Sequence, residues 1–386
     1  MRILVADTIY PESAAEVYGR TPGLVEAPYE AQRSALWDQF FGTSDAYVHH
    51  LEELGHEAEG VITNCSPLQA AWCTERGVPR SAARAVLGRR GRRAGPAPLQ
   101  QQAVLLAQVE SFRPDVVFVH DPWTVGDRAL ELLGARVPLL VGQLASRAPS
   151  VDRLRRFDLM LSSFPHFVEA WRREGIDSEL FRLGYYERVG ERLAREGVDV
   201  SAGAEGRAGV VLSGGLSPAT YPTVTPMLER LCAEVDVEVW GYAAGDLPAG
   251  SAILRGYRGA AWGLDMYRRM ARAAVVVNRH GDISQGLANN MRLFEATGVG
   301  AALVTESAPN LREMFEPGAE VATYSSGEEL VSVVRSLLDE RTKRVELAAA
   351  GQRRTLAEHT YAERMRELSA LLEERLSSAR RSYQST

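Results

Sequence analysis

Short apolar runs alternate along the chain with stretches whose apolar residues recur at helical spacing, a pattern that predicts parallel sheets built from β-α units. In the first half the runs fall at 2–6, 58–62, 115–119, 137–141, 157–161 and 179–183, and in the second at 209–213, 235–241, 274–278, 301–305 and 320–324. Between them, residues 186–207 are rich in charge, Gly and Ala and offer few apolar positions able to cross a core, which predicts a hinge. The expected organisation is an N-terminal Rossmann-like domain at 1–185, this linker, a C-terminal Rossmann-like domain at 208–360, and a last helix at 361–386 packing back on the N-terminal domain. Two such domains would face each other across a cleft, since ligands of open α/β sheets sit at the carboxyl ends of the strands.

Residues 7–57 make too long a connection for an ordinary β-α-β unit and must hold extra structure. Tyr29, Trp37, Phe40 and Phe41 recur there at helical spacing, as core or as a wall of a substrate pocket, and the stretch 51–57 reads as a helix closed by Gly55. Ser326 with Glu329, and Thr360 with Glu363, are capping boxes that open structural helices near the end of the chain.

With 386 residues, 45% hydrophobic and 24% charged, the chain has the composition of two or three globular domains at about 150 residues each. A net charge of -6 argues against a nucleic-acid partner, whose phosphates call for a basic face. Of 44 basic residues only Lys343 is a lysine, a bias that points to genomic base composition more than to function. Cys65, Cys73 and Cys232 form neither a disulfide framework nor a C-x-x-C pair, which fits a reducing, cytoplasmic setting. No run approaches 18 apolar residues, so no integral membrane segment is expected, and the basic stretch at 84–93 reads as a solvated loop.

The sequence has no G-x-G-x-x-G after the first strand, no Walker A motif, no G-x-S-x-G and no H-E-x-x-H, which disfavours NAD enzymes, P-loop kinases, α/β-hydrolases and zincins. Gly214 and Gly215 end the first strand of the second half, where adjacent glycines suit either a tight turn or a close backbone approach to an anion. A polar loop after the 274–278 strand carries Arg279 and His280 and leads into a helix expected to start near Asn289, with Met291, Phe294 and Gly298 buried. Arg292 and Glu295 share a face of that helix, either as a salt bridge on a solvated face or as ligands, arginine for a diphosphate and carboxylate for a ribose. In the first half, His120 and Asp121 end the third strand as a base or acceptor anchor, or as a hydrogen-bonded His beside a loop-capping Asp. His166 and His280 are lesser acid-base candidates, whereas His49, His50, His56 and His359 read as surface or structural residues.

The run Asn290-Met291-Arg292-Leu293-Phe294-Glu295-Ala296, followed by Gly300 to Thr305, Asn310-Leu311, Phe315-Glu316-Pro317-Gly318, Ala350-Gly351-Gln352 and His359-Thr360-Tyr361, resembles the C-terminal half of the spore-maturation-type glycosyltransferases, a GT-B group related to the glycosyl transferases group 1. Leu54-Gly55-His56-Glu57, Arg113 to Val117 and Ser162-Ser163-Phe164-Pro165 resemble its N-terminal half more loosely. The resemblance implies a GT-B fold, a nucleoside-diphosphate sugar (GDP-, UDP- or dTDP-linked) held by the C-terminal domain, and a small-molecule or glycan acceptor held by the N-terminal domain. It places Glu295 on the donor ribose, Arg292 and Asn290 towards the diphosphate or sugar, Gly214 and Gly215 at the phosphates, and the stretch Arg255 to Trp262, with Tyr257, beside the base. Arg279 and His280 join that donor set.

Two departures stand out. Leu287 occupies the position eight residues before Glu295 where related enzymes often carry another glutamate, and residues 214–227 lack the basic pair that commonly follows the glycine loop. The expected activity is metal-independent and cofactor-free, because arginine and backbone amides can stabilise a departing diphosphate and no D-x-D-like pair is present. A sugar, a glycan or a specialised metabolite of an antibiotic pathway would serve as acceptor, through oxygen or sulfur. A nucleotide-sugar 2-epimerase and a non-enzymatic nucleotide-sugar-binding protein are the alternative readings.

Overall fold

The computed structural model describes residues 1–78 and 99–384. The basic stretch at 84–93, expected as a solvated loop, lies outside the described residues. Two units divide the chain: Met1–Arg182 together with the segment from Met365 onward, and Leu183–Arg364.

The first unit holds β1 (Arg2–Asp7), β2 (Glu57–Ile62), β3 (Val116–Val119), β4 (Leu139–Gln143), β5 (Leu159–Ser162) and β6 (Ser178–Leu180) in one parallel sheet of order β2-β1-β3-β4-β5-β6. Its central strands are buried on both faces: Val116, Val117, Phe118 and Val119 are wholly inaccessible, as expected when helices cover both sides of a parallel sheet. The long connection between β1 and β2 folds into helices Pro11–Arg20, Tyr29–Trp37 and Ala46–Glu53. Tyr29 and Phe40 are buried, and Trp37 and Phe41 pack against the same apolar cluster as Tyr29. Tyr29 and Phe40 are therefore core, and Trp37 and Phe41 are half-buried. The last helix, Tyr361–Gln384, contributes to this unit through Arg375, which pairs with Asp177 at 2.9 Å, and Ser369, which bonds His56 at 2.6 Å.

The second unit holds β7 (Ala208–Ser213), β8 (Val237–Trp240), β9 (Ala273–Val277), β10 (Ala302–Glu306) and β11 (Ala322–Tyr324) in a parallel sheet of order β11-β10-β9-β7-β8. Residues 186–207, expected as a hinge or linker, group with this unit. They contain helix Arg188–Arg195, whose Val189 and Leu193 are fully buried, and Gln352 pins the segment beyond that helix by donating to the Val200 and Gly298 carbonyls. Its helix turns were hidden by a charge-rich composition that buries only one narrow apolar stripe.

In each sheet the first strand lies between the second and the third, so the chain reverses its winding direction between β1 and β3, and again between β7 and β9. Crevices outside such switch points are where open α/β sheets bind ligands. Both sets of sequence candidates start there.

Candidate functional site

In the first unit, Ala6 and Val119 are register partners, so Asp7 and His120 leave β1 and β3 as neighbours. The His120 amide donates to the Ala6 carbonyl at 2.9 Å. Asp7 Oδ2 lies 3.5 Å from His120 Nδ1 and accepts the Thr43 hydroxyl at 2.8 Å, while Oδ1 accepts the Thr8 amide at 2.7 Å. The imidazole sits 5.0 Å from the Tyr47 ring and edge-on to Phe118 at 6.0 Å, and the Tyr47 hydroxyl donates to Gln143 Oε1 at 3.0 Å. The His120 and Asp7 side chains keep 15% and 24% of their exposure, enough for one edge of the pair to meet a ligand.

Burial alone would push the His120 pKa down, but the charge and hydrogen bond of Asp7, aided by Asp121, outweigh it and hold the pKa above its ordinary value. Burial alone would likewise raise Asp7, and the charge of His120 with the Thr8 and Thr43 hydrogen bonds brings it below the usual carboxylate range. Asp121 accepts the Trp123 amide at 3.0 Å and caps the short turn Pro122–Thr124, and burial pushes its carboxyl up. Of the two roles open to the His120-Asp121 pair, the geometry gives Asp121 the loop cap, and the carboxylate bonded to His120 is Asp7. Sequence reasoning missed Asp7, Thr43, Tyr47 and Gln143. Asp7 carried a signal, an acid ending the first strand, but its pairing required the strand order. His166 is the second residue of helix Pro165–Arg173 and sits among aromatics, 5.2 Å from the Phe164 ring and 4.8 Å from the Phe167 ring.

At the second switch point, Gly214 takes φ +136°, a conformation closed to other residues, and its amide donates to the Trp240 carbonyl at 3.0 Å. The glycine turn runs so close to the exit of β8 that a Cβ on Gly241 would collide with the Gly214 carbonyl. Arg279, just past β9, reaches across and donates to the Gly215 carbonyl, with its guanidinium 4.3 Å from the Tyr221 ring centre. Arg279 is 5% exposed, and its buried Nε has no hydrogen-bond partner. Burial pushes its pKa down, and so does the nearby charge of Arg292. A guanidinium stays charged in proteins, so the turn holds a buried cation without an ion pair among the described residues.

The other donor candidates gather round it. The His280 amide donates to Glu306 Oε2 at 2.5 Å, its ring Nε2 lies 3.4 Å from Thr305 Oγ1, and its buried Nδ1 has no partner. Burial pushes the His280 pKa down to about 4, so the ring is neutral at pH 7 and is a hydrogen-bonding group there, not an acid. Asn290 donates to Asn278 Oδ1 at 2.8 Å and to the Arg279 carbonyl at 2.5 Å, leaving its own Oδ1 buried without a partner. The Tyr257 hydroxyl donates to the Gly241 carbonyl at 3.1 Å. The helix begins at Arg292 rather than near Asn289, and 290 lies in the turn before it.

Arg292 Nη1 and Glu295 Oε2 form a 2.7 Å ion pair, and Glu295 Oε1 accepts the Tyr267 hydroxyl at 3.1 Å. The salt-bridge alternative is the observed state, but the pair is buried, at 13% and 6% side-chain exposure, and not on a solvated face. The Trp262 ring, at the end of the 255–262 stretch expected beside the base, stacks on Tyr242 at 5.6 Å next to Gly215; sequence reasoning missed Tyr242 and Glu306. Among the described residues, His49, His50 and Glu53 bring ligand atoms within 4.8 Å of one another on one helix, the sort of cluster that could hold a metal ion. No described helix is long and apolar enough to cross a membrane.

Residues 223–370 match a family model described as glycosyl transferase-like, a segment that contains Tyr257, Arg279, His280, Asn290, Arg292 and Glu295. A search of curated proteins found no match. Among solved structures, HepE from Anabaena in complex with UDP-glucose is similar with a TM-score of 0.57 and 15% identity, over 97% of this chain and 100% of that one. Sucrose-phosphate synthase from Thermosynechococcus elongatus is similar with a TM-score of 0.58 and 11% identity, over 98% and 100% of the two chains. The fold is GT-B. A third GT-B neighbour, α,α-trehalose 6-phosphate synthase from Burkholderia multivorans, is similar at 0.57 and 13%, over 98% and 99%. In this GT-B chain the family match covers most of the second unit, and the spore-maturation likeness is finer than the match reaches.

Proposed function

We propose that this protein transfers a sugar from a nucleoside diphosphate to a small polar acceptor carrying a hydroxyl or thiol. The observation that carries the reading is Arg279: a buried guanidinium at the β7-β9 switch point, with an unused Nε, repelled by Arg292, and backed by the Gly214-Gly215 turn. Such a cation gains most when an anion joins it, because both charges are then out of water with hydrogen bonds to satisfy them. A diphosphate fits that need, and its departure from the sugar is the step at which negative charge develops, so Arg279 would stabilise the transition state without a metal ion. Tyr257, Tyr242 and Trp262 offer aromatic surface for the base, and a uridine donor is the first choice because HepE is seen with UDP-glucose.

Acceptor chemistry falls to the first unit. Asp7 faces Nδ1 of His120, which leaves Nε2 to take the proton of the acceptor, and the Asp7 carboxylate stabilises the imidazolium that results. The test is mass spectrometry of UDP-, GDP- and dTDP-sugars incubated with and without a panel of hydroxyl and thiol acceptors. Transfer products with free nucleoside diphosphate support the reading. A donor epimerised at carbon 2 without acceptor, or donor binding with no turnover across the panel, replaces it with the epimerase or the binding protein.

A further inference from the structure

Arg207 precedes β7, Ala274 is the second residue of β9, and Ala302 opens β10, so these residues line the amino edge of the second sheet, at the opposite end of the strands from Gly214 and Arg279. A small pocket, partly open to solvent, lies there. Its charged lining consists of Arg207, Arg341 and Arg344, and no carboxylate lines it. The small side chains of Ala274, Ala302 and neighbouring glycines leave the three guanidiniums as its only polar side chains.

None of the three is neutralised. Arg207 donates through Nη2 to the Ser201 and Val299 carbonyls at 2.9 and 2.7 Å, while its Nε and Nη1 are buried with no partner. Asp199 is close enough to favour the charge of Arg207 but forms no ion pair with it, its Oδ1 being taken by the Ser201 amide at 2.8 Å. Arg344 donates through Nη1 to the Leu337 and Leu338 carbonyls at 2.6 and 3.0 Å. Arg341 is exposed and has no hydrogen bond or ion pair among the described residues. Burial pushes the Arg207 pKa down to about 10, and burial with the charge of Arg341 pushes Arg344 down.

Arg341, Lys343 and Arg344 all stand in the first turn of helix Arg341–Glu358, which carries no acid in that turn. Cations there oppose the helix macrodipole, the reverse of the ordinary preference. A local rule broken with no compensating partner for Arg341 among the described residues marks a site rather than a scaffold. The close approach of the segment before β7 is also built in: Gly300 has φ +72°, and a Cβ on it would collide with the Val200 carbonyl.

We propose that this pocket is a second anion site, separate from the donor pole, that takes the phosphate group of a small phosphorylated metabolite or inorganic phosphate itself. Three guanidiniums with unused donors match a tetrahedral dianion, and the anion would relieve their mutual repulsion and the unfavourable first turn together.

The experiment is thermal unfolding of the full chain in inorganic phosphate and in glycerol 3-phosphate, each against sodium chloride at equal ionic strength. Parent and Arg279→Gln proteins are expected to gain stability with phosphate in parallel, because the donor pole is not involved. Arg341→Gln, an exposed change that leaves the core untouched, and Arg344→Gln are expected to weaken the phosphate effect at least tenfold in apparent affinity. A response to both compounds assigns an esterified phosphate, and a response to the free ion alone assigns inorganic phosphate. A shift no larger than that of chloride, a shift retained in full by both Arg341→Gln and Arg344→Gln, or one lost in Arg279→Gln overturns the site.

Discussion

Asp7 and His120 leave neighbouring parallel strands side by side, and their carboxylate and imidazole meet at 3.5 Å. Burial by itself would lower the imidazole pKa and raise that of the carboxyl, and the pair reverses both tendencies. The ring therefore holds a proton more tightly than a free imidazole.

This raised pKa sets a pH dependence. If His120 takes the acceptor proton, only its neutral form works, so turnover should rise with pH through a value above the ordinary 6.5. Asp7→Asn removes what stabilises the imidazolium, so the limb should move to lower pH while turnover falls. His120→Ala should lower turnover by about 10² to 10⁴, the usual weight of a general base. Single-turnover rates at saturating donor across pH 5 to 9 check this, and a limb unmoved in Asp7→Asn removes the pair from the chemistry.

The burial of Arg292 and Glu295 changes what a mutation there reports. Glu295→Ala strands a buried guanidinium and leaves the Tyr267 hydroxyl without its acceptor, and breaking a buried pair costs about 3 to 5 kcal/mol. Denaturant unfolding should show a loss of that order in Glu295→Ala and a smaller one in Glu295→Gln, which can still accept from Tyr267. A loss under about 1 kcal/mol in Glu295→Ala would mean that the pair is not held together in solution.

His280 gives a stability signature. Its folded pKa of about 4 lies below the ordinary 6.5, so the unfolded chain binds a proton that the folded chain does not between those values. Stability contributed by the neutral ring is complete above pH 6.5 and is lost as pH falls towards 4, by on the order of 2 to 3 kcal/mol. His280→Asn, which does not titrate, should flatten that part of the stability-pH curve. Identical slopes in parent and variant would place the ring in a wetter setting than the fold gives it.

The role proposed for the arginines carries an expectation about metal dependence. If Arg279 and Arg292 carry the charge of the leaving diphosphate, excess EDTA should leave sugar transfer unchanged, and recovery on adding Mg²⁺ or Mn²⁺ after a loss would assign that role to an ion.

Much of the fold was legible because parallel strands buried on both faces appear as unbroken apolar runs. Each run read from the sequence overlaps one observed strand, from Arg2–Asp7 to Ala322–Tyr324. The stretch around helix Arg188–Arg195 was not legible, since composition reports charge and only packing shows that Val189 and Leu193 face a core. Spacing placed Arg292 and Glu295 on one face but could not say which face, because every residue from Leu293 to Gly298 is buried and the helix has no polar side to orient it. The Asp7-His120 contact needed strand order, a property of the whole sheet that no local run contains. Arg279 stood out only as one residue of a polar loop, and that it is buried with no ion pair among the described residues is a fact of the folded state.

The donor pole carries most of the functional reading, and calorimetric titration of the full chain with UDP, GDP and dTDP, repeated on Arg279→Gln, tests it most directly. Loss of a charged hydrogen bond is worth about 1.5 to 3 kcal/mol, so at least one nucleotide should bind the parent, and Arg279→Gln should bind it roughly ten- to hundredfold more weakly. Failure of all three nucleotides to bind the parent, or equal affinity in Arg279→Gln, would contradict it.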